Sequence, residues 1–269
     1  MKNKFLNISI LIVSLFVHTL LAQTNNPEEI TIPLSNPGKT GTLKVNLVEG
    51  SIVVEGYSGK EIIISSIAKS ENKEKELKEK DGMKRISYSG GDLDISESNN
   101  VVDVQASHHW VVLKIKVPAQ FNLKLNTVNN GEITVKNVSG EIEVENVNKG
   151  INLKDISGSV SANTVNGSVI VDFNKITPGV PMAFTTLNGK IDITLPPDTK
   201  ATLKIKSDQG EIYSDFDMNT IQLKDQKKST ENGYYKLKTE NWVEGTINGG
   251  GPQFLMKNMN GNIYIRKKK

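Results

Sequence analysis

The chain has 269 residues, a formal charge of +3, 6% aromatic residues and no cysteine. Absence of cysteine rules out disulfides, thiol catalysis and cysteine-ligated zinc, so backbone ladders and core packing must hold the fold. Near-neutral charge gives no global field for nucleic acid or an anionic membrane, and no basic–aromatic stripe is visible.

Residues 1–22 read as a secretory signal peptide. Lys2 and Lys4 form the positive start, Ile8 to Val17 is apolar, and Leu20-Leu21-Ala22 precedes Gln23. The apolar run is shorter than the ~20 residues that span a bilayer. No later segment reads as a span, so no transmembrane segment is expected in the exported chain, and without cysteine it cannot carry the lipid-modified cysteine of a bacterial lipoprotein. Losing Lys2 and Lys4 takes the charge from +3 to +1. The signal predicts a periplasmic, cell-surface or secreted protein.

Residues 23–40 form a leader with one strand at Glu29–Leu34, and 41–269 form a β-repeat domain, divisible into 41–117 and 118–269. From Thr42, Leu43, Val45 and Leu47 alternate with Lys44 and Asn46, and strands follow at Ser51–Glu55 and Glu61–Ile67. Residues 69–84 are almost wholly charged and read as a solvated face, with spacing that suits a short exposed helix. Strands resume at Arg85–Tyr88, Leu93–Glu97, Val101–Gln105, His109–Val117 and Phe121–Asn126. Residues 224–234 read as a polar insertion, and Pro196-Pro197 as a loop.

Between Gly131 and Phe173 one phrase repeats: Gly131-Glu-Ile-Thr-Val, Gly140-Glu-Ile-Glu-Val, Gly150-Ile-Asn-Leu, Gly158-Ser-Val-Ser-Ala and Gly167-Ser-Val-Ile-Val. Its glycines are 9, 10, 8 and 9 residues apart. Later rungs continue it at Gly189, Gly210 and Gly261. Two turn phrases precede the glycines. One is Thr-apolar-Asn-Gly, at Thr164–Gly167, Thr186–Gly189 and Thr246–Gly249, with an inserted residue at Thr127–Gly131. The other is Lys-Asn-Val-Ser-Gly140, echoed at Lys154–Gly158 and Lys257–Gly261. Asn and Gly tolerate positive φ and turn the chain sharply. Asn-Gly also marks tight hairpins, so a plain meander is the alternative. The turn types alternate from Gly131 to Gly158, which favours a coil laying two strands every 18 or so residues. The expected fold is all-β: a β-solenoid or stacked-sheet repeat array with strands of about 4–7 residues and Asn-Gly turns.

The Ala-Gln junction, the Asn-Gly-x-Ile-x-Ile rungs, Asn248-Gly-Gly-Gly-Pro252 and the closing Gly261-Asn-Ile-Tyr-Ile-Arg-Lys-Lys resemble the exported bacterial "putative adhesin" β-repeat proteins, Bacteroidetes members in particular. These are toastrack-like domains of unknown function. The resemblance covers most of the exported chain, most strongly 120–269. It implies a β-repeat fold and an adhesin-type role, and carries over no functional residue.

Chemistry-bearing residues are few. His108 and His109 are adjacent, so in a strand they point to opposite faces and cannot readily share a metal. Beside Trp110 they read as structural. No zinc, EF-hand or nucleophile-elbow spacing is present. Gly90-Gly-Asp-Leu-Asp94 occurs once and reads as a turn, whereas calcium-binding nonapeptides come in tandem. Gly249-Gly-Gly251 lacks the Lys-Ser/Thr and helix of a phosphate loop and reads as a corner. Glu132, Glu141, Glu143 and Glu145 could serve a two-carboxylate glycosidase, since solenoids host such enzymes. The latter three share one strand face, where a solubilising, edge-protecting row is the simpler reading. No catalytic, cofactor-binding or metal residue is therefore assigned, and no cofactor is expected. The expectation is a non-enzymatic envelope protein with an unknown protein or glycan partner and no nucleic acid. A periplasmic structural or sensory accessory protein, or a carbohydrate-active enzyme, are the alternatives.

Overall fold

The computed structural model describes residues 29–68, 93–106, 110–231 and 234–269. The signal peptide, the strand expected at Arg85–Tyr88, the charged run 69–84, and His108 and His109 lie outside the described residues.

Alternating β-branched and polar residues, cut by glycine, make nineteen strands among the described residues. The chain opens with β1 (Glu29–Pro33), a long β2 (Thr42–Tyr57), β3 (Glu61–Ala68), β4 (Leu93–Ser98) and β5 (Val101–Ala106). Next come β6 (Val111–Pro118), β7 (Asn122–Asn129), β8 (Ile133–Lys136), β9 (Ser139–Asn146) and a long β10 (Ile151–Asn163). Then follow β11 (Val169–Ile176), β12 (Met182–Thr185), β13 (Ile191–Leu195), β14 (Ala201–Gln209) and β15 (Ile212–Ser214). The hairpin β16 (Asn219–Glu231) and β17 (Tyr234–Ile247) precedes β18 (Gln253–Asn260) and β19 (Ile263–Lys267).

The strands form two faces of a coil, as the repeat predicts. Parallel pairing joins rungs 18 residues apart in its centre: Ile151 sits between Ile133 and Val169. β2 and β10 exceed the expected strand length because each runs on through a corner and pairs on both faces. Inward residues such as Leu43, Val45, Ile52, Val54, Ile133, Val135, Phe173 and Phe184 are buried in one continuous core.

Stacking order departs from chain order at both ends. β2 lies between the β5–β6 coil and the β7–β8 coil. Likewise β18–β19 lies between the β12–β13 coil and the β14–β15 coil. Antiparallel strands close the stack: β4 covers β5, β3 covers β6 with β1 outside it, and the β16–β17 hairpin covers β14. Residues 224–231, read from sequence as an insertion, are thus one arm of that hairpin. Glu141, Glu143 and Glu145 do not guard an edge. Their strand, β9, is paired on both sides, by β7 and β10, and Lys124 reaches Glu143 at 3.0 Å.

One corner carries the glycine column Gly50, Gly131, Gly150, Gly167, Gly189, Gly261 and Gly210. A Cβ on Gly131 would overlap the Gly50 carbonyl, one on Gly189 the Gly167 carbonyl, and one on Gly210 the Gly261 carbonyl. Carbonyls here receive bonds from inward side chains. The hydroxyls of Thr127, Thr164 and Thr186 donate to the carbonyls of Gly50, Lys149 and Gly167, each at 2.8 Å. Asn146 Nδ2 donates to Gly131 at 3.0 Å, Asn258 Nδ2 to Gly189 at 3.2 Å, and Ser207 Oγ to Gly261 at 3.0 Å. Outside the same corner, Asn129, Asn148, Asn166, Asn188 and Asn260 form an amide ladder with steps of 2.7, 3.2, 2.8 and 2.6 Å.

Two turn phrases fall elsewhere than their wording predicts. Thr246–Gly249 turns between β17 and β18, where Asn248 Nδ2 donates to the Pro197 and Thr199 carbonyls. Lys257–Gly261 sits at the glycine corner, with Asn258 inward, rather than at the opposite corner with Lys154–Gly158.

Space differs sharply along the column. At Gly150 the nearest atom to an added Cβ is a carbonyl oxygen at 3.2 Å. Gly131→Ala is expected to cost about 1–3 kcal/mol or more by overpacking. Gly150→Ala should cost distinctly less, and comparing urea unfolding midpoints of the two variants checks the difference.

Candidate binding surface on the outward faces

Two aromatic–cation clusters stand on the outward faces of the last coils. Their positions follow from the repeat, because outward residues at the same phase of adjacent rungs become neighbours. Tyr264 follows Gly261-Asn-Ile and Tyr213 follows Gly210-Glu-Ile, so pairing of β15 with β19 sets Tyr213 beside Tyr264. Their rings stack at 5.2 Å with 9° between planes. On its other side Tyr264 neighbours Asp192 of β13.

Charge organises this column. Arg266 donates through Nε to Asp192 at 2.6 Å and through Nη2 at 3.2 Å, and Lys190 Nζ donates to the same carboxylate at 3.0 Å. Both cations also lie over Tyr264, at 5.1 Å for Arg266 and 5.9 Å for Lys190. Burial alone would raise the Asp192 carboxyl. Hydrogen bonds from Arg266 and Lys190, with their charges, outweigh it and hold the group below the usual carboxylate range. The Tyr213 hydroxyl donates to Glu211, and that carboxylate pushes the phenol ionisation up. Asn262 Nδ2 supports the Tyr264 hydroxyl at 3.0 Å.

The second cluster is closed. Lys204, Lys206 and Lys257 stand 4.8, 5.7 and 6.0 Å from the centre of the Trp242 ring. Trp242 is only 7% exposed beneath them, and Lys206 is tied to Asp208 at 3.4 Å and Glu240 at 3.8 Å. Tyr213, by contrast, is 45% exposed. An accessible stacked aromatic beside fixed charges can take a planar or apolar group on its ring and a polar one at its rim. The open cluster is therefore the candidate site.

The residues weighed from sequence fall away from it. Trp110 is partly buried, and its Nε1 donates to the Asn130 carbonyl at 3.3 Å. Gly90 lies outside the described residues, and Asp94 is in β4. Gly249 and Gly250 have φ of 84° and 85° and make the corner expected of them. Glu132 and the β9 glutamates stand on outward faces, and β9 is paired along its length with β10. Among the described residues no cluster of three or more His, Asp or Glu could hold a metal. No described helix is long and apolar enough to cross a membrane. Sequence reasoning passed over Tyr213, Tyr264, Lys190, Asp192 and Arg266. The signal was present in the shared Gly-x-Ile-Tyr wording of two rungs.

Because unfolding raises the proton affinity of Asp192, its ion pairs stabilise fully above about pH 4 and lose that contribution as pH falls further. Asp192→Asn is expected to lower the urea midpoint at neutral pH, with the gap to the parent narrowing under acid conditions. Urea titrations across the acid range check this.

Similarity to known proteins extends over nearly the whole chain. Two solved structures resemble it. One is described as a "putative cell adhesion protein" from Clostridium sporogenes, with 14% identity, 90% of this chain and 100% of that chain covered, and a TM-score of 0.39. The other is described as a "putative adhesin" from Bacteroides fragilis, with 10% identity, 91% and 98% covered, and a TM-score of 0.31. No curated protein matches. The family model described as Toastrack DUF4097 matches residues 12–265, and the chain belongs to that family.

Proposed function

We propose that this protein is a non-enzymatic, adhesin-type interaction protein of the cell envelope, exported by its signal peptide and binding a partner on its outward faces. The observation that carries the reading is the accessible Tyr213–Tyr264 stack, held by Glu211 and by the Asp192–Arg266–Lys190 charges. Rings fixed by neighbouring rungs lose little freedom on binding, which favours recognition. The inward polar residues of the corner, meanwhile, are occupied in holding the coil together.

Retention of envelope proteins and glycans on the immobilised exported chain tests the reading. Tyr213→Ala is expected to weaken capture by about tenfold, the 1.4 kcal/mol expected of a modest aromatic hot spot. Equal capture by the variant, or turnover of a polysaccharide by the parent chain, would overturn it.

A further inference from the structure

Among the described residues, three of the four sheet ends finish on antiparallel strands: β4, β1 over β3, and β16 over β17. The fourth finishes on β15, which among the described residues has a strand register with β19 alone, and that register is parallel. We propose that the open edge of β15 is a docking edge for an extended, lysine- or arginine-rich polypeptide that adds to this face as a further strand. This rests on the reading of the Tyr213 surface as partner-binding and narrows the partner to a polypeptide.

The backbone presents the groups a strand needs. Ile263 N–H donates to the Glu211 carbonyl and Asp215 N–H to the Ile265 carbonyl, each at 2.9 Å. Residues 211 and 215 therefore aim their peptide groups at β19, and alternation aims the N–H and C=O of Ile212 and Ser214 at the open side. Tyr213 is stacked on one ring face. The other face looks toward where a next strand would lie, about 4.8 Å further on. Main-chain bonds would supply affinity, and a side chain seated on that ring would supply selectivity.

Charge selects the occupant. Residues 211–220 contain Glu211, Asp215 and Asp217 and no lysine or arginine. Glu211, Asp215 and Asp217 are exposed. The cations of β19 are engaged: Arg266 bonds Asp192, and Lys267 Nζ lies 5.0 Å over the Phe216 ring. Asp217 and Met218, with Thr246 and Asn248, line an open cavity of about 380 Å³ at this end of the stack. The lining is mainly polar, and its one apolar side chain, Met218, beside the Asp217 carboxylate can take the stem and head of a lysine or arginine. A second copy docking edge to edge would set these carboxylates against their own equivalents, which like-charge pairing disfavours.

The test is amide hydrogen exchange of the full exported chain with a short peptide alternating lysine and valine, against its glutamate–valine counterpart. The lysine peptide is expected to slow exchange at Ile212 and Ser214 by about tenfold, as strand pairing protects amides, and to bind more weakly in salt. Ser214→Pro removes one open-side N–H at an edge that tolerates proline, so it should lose the peptide, whereas Ser214→Ala should keep it. Binding without protection at Ile212 and Ser214 would overturn the proposal, as would equal binding by a folded Ser214→Pro chain. If Ser214→Pro fails to fold, the exchange pattern of the parent chain decides. Glycan capture that depends on Tyr213, with no peptide protection, would sink strand addition and leave the binding-surface reading standing.

Discussion

Everything in this fold depends on how closely successive coils approach at the glycine corner. There the peptide of one rung lies where the Cβ of the next would be, so only glycine fits at Gly131, Gly167 or Gly210. Close approach leaves corner carbonyls away from water, and an unsatisfied buried carbonyl costs about 1–3 kcal/mol. Thr127, Asn146, Thr164, Thr186, Asn258 and Ser207 turn inward to meet them. Glycine and the polar residue ahead of it are two halves of one device. The first lets the coils touch, and the second satisfies what the contact buries.

With that corner fixed, side-chain placement on both faces follows. Apolar residues after each glycine point inward and share one core, and residues between them form outward columns spaced by the strand repeat. The columns let unlike coils cooperate. Asp192, Tyr264 and Tyr213 come from three coils, and two of these are 51 residues apart in the chain yet adjacent in the stack. The candidate surface is a by-product of regular stacking, and its chemistry is set by which outward residues the end coils carry.

Much of this was legible in sequence where coils follow chain order. The spacing from Gly131 to Gly167 and the alternation of turn types correctly predict two strands per coil. The phrase at Lys257–Gly261 was harder, because its wording matches Lys154–Gly158 while its geometry does not. The distinction lies three residues before the glycine: Asn258, like Thr164 and Thr186, is the inward polar residue of the glycine corner. At the other corner Ile156, two residues before Gly158, is the inward one. Tyr213 and Tyr264 could have been paired from their shared Gly-x-Ile-Tyr wording. That β15 and β19 are neighbours could not, since the insertion of β18–β19 between earlier coils leaves no periodic trace.

That insertion governs the order in which the molecule can be assembled. Central coils join residues 18 apart, as Ile133 with Ile151, and can grow one upon another. The terminal coils join Gly50 with Val111 and Ile191 with Ile263, separations of 61 and 72 residues. Loop closure makes such contacts slow and late. A chain emerging from its amino end therefore cannot complete its first coil until the third is made. The slot between β13 and β15 closes only when β19 arrives. Completion waits on strands made far later in the chain, a behaviour opposite to the stepwise growth that a linear repeat would otherwise allow.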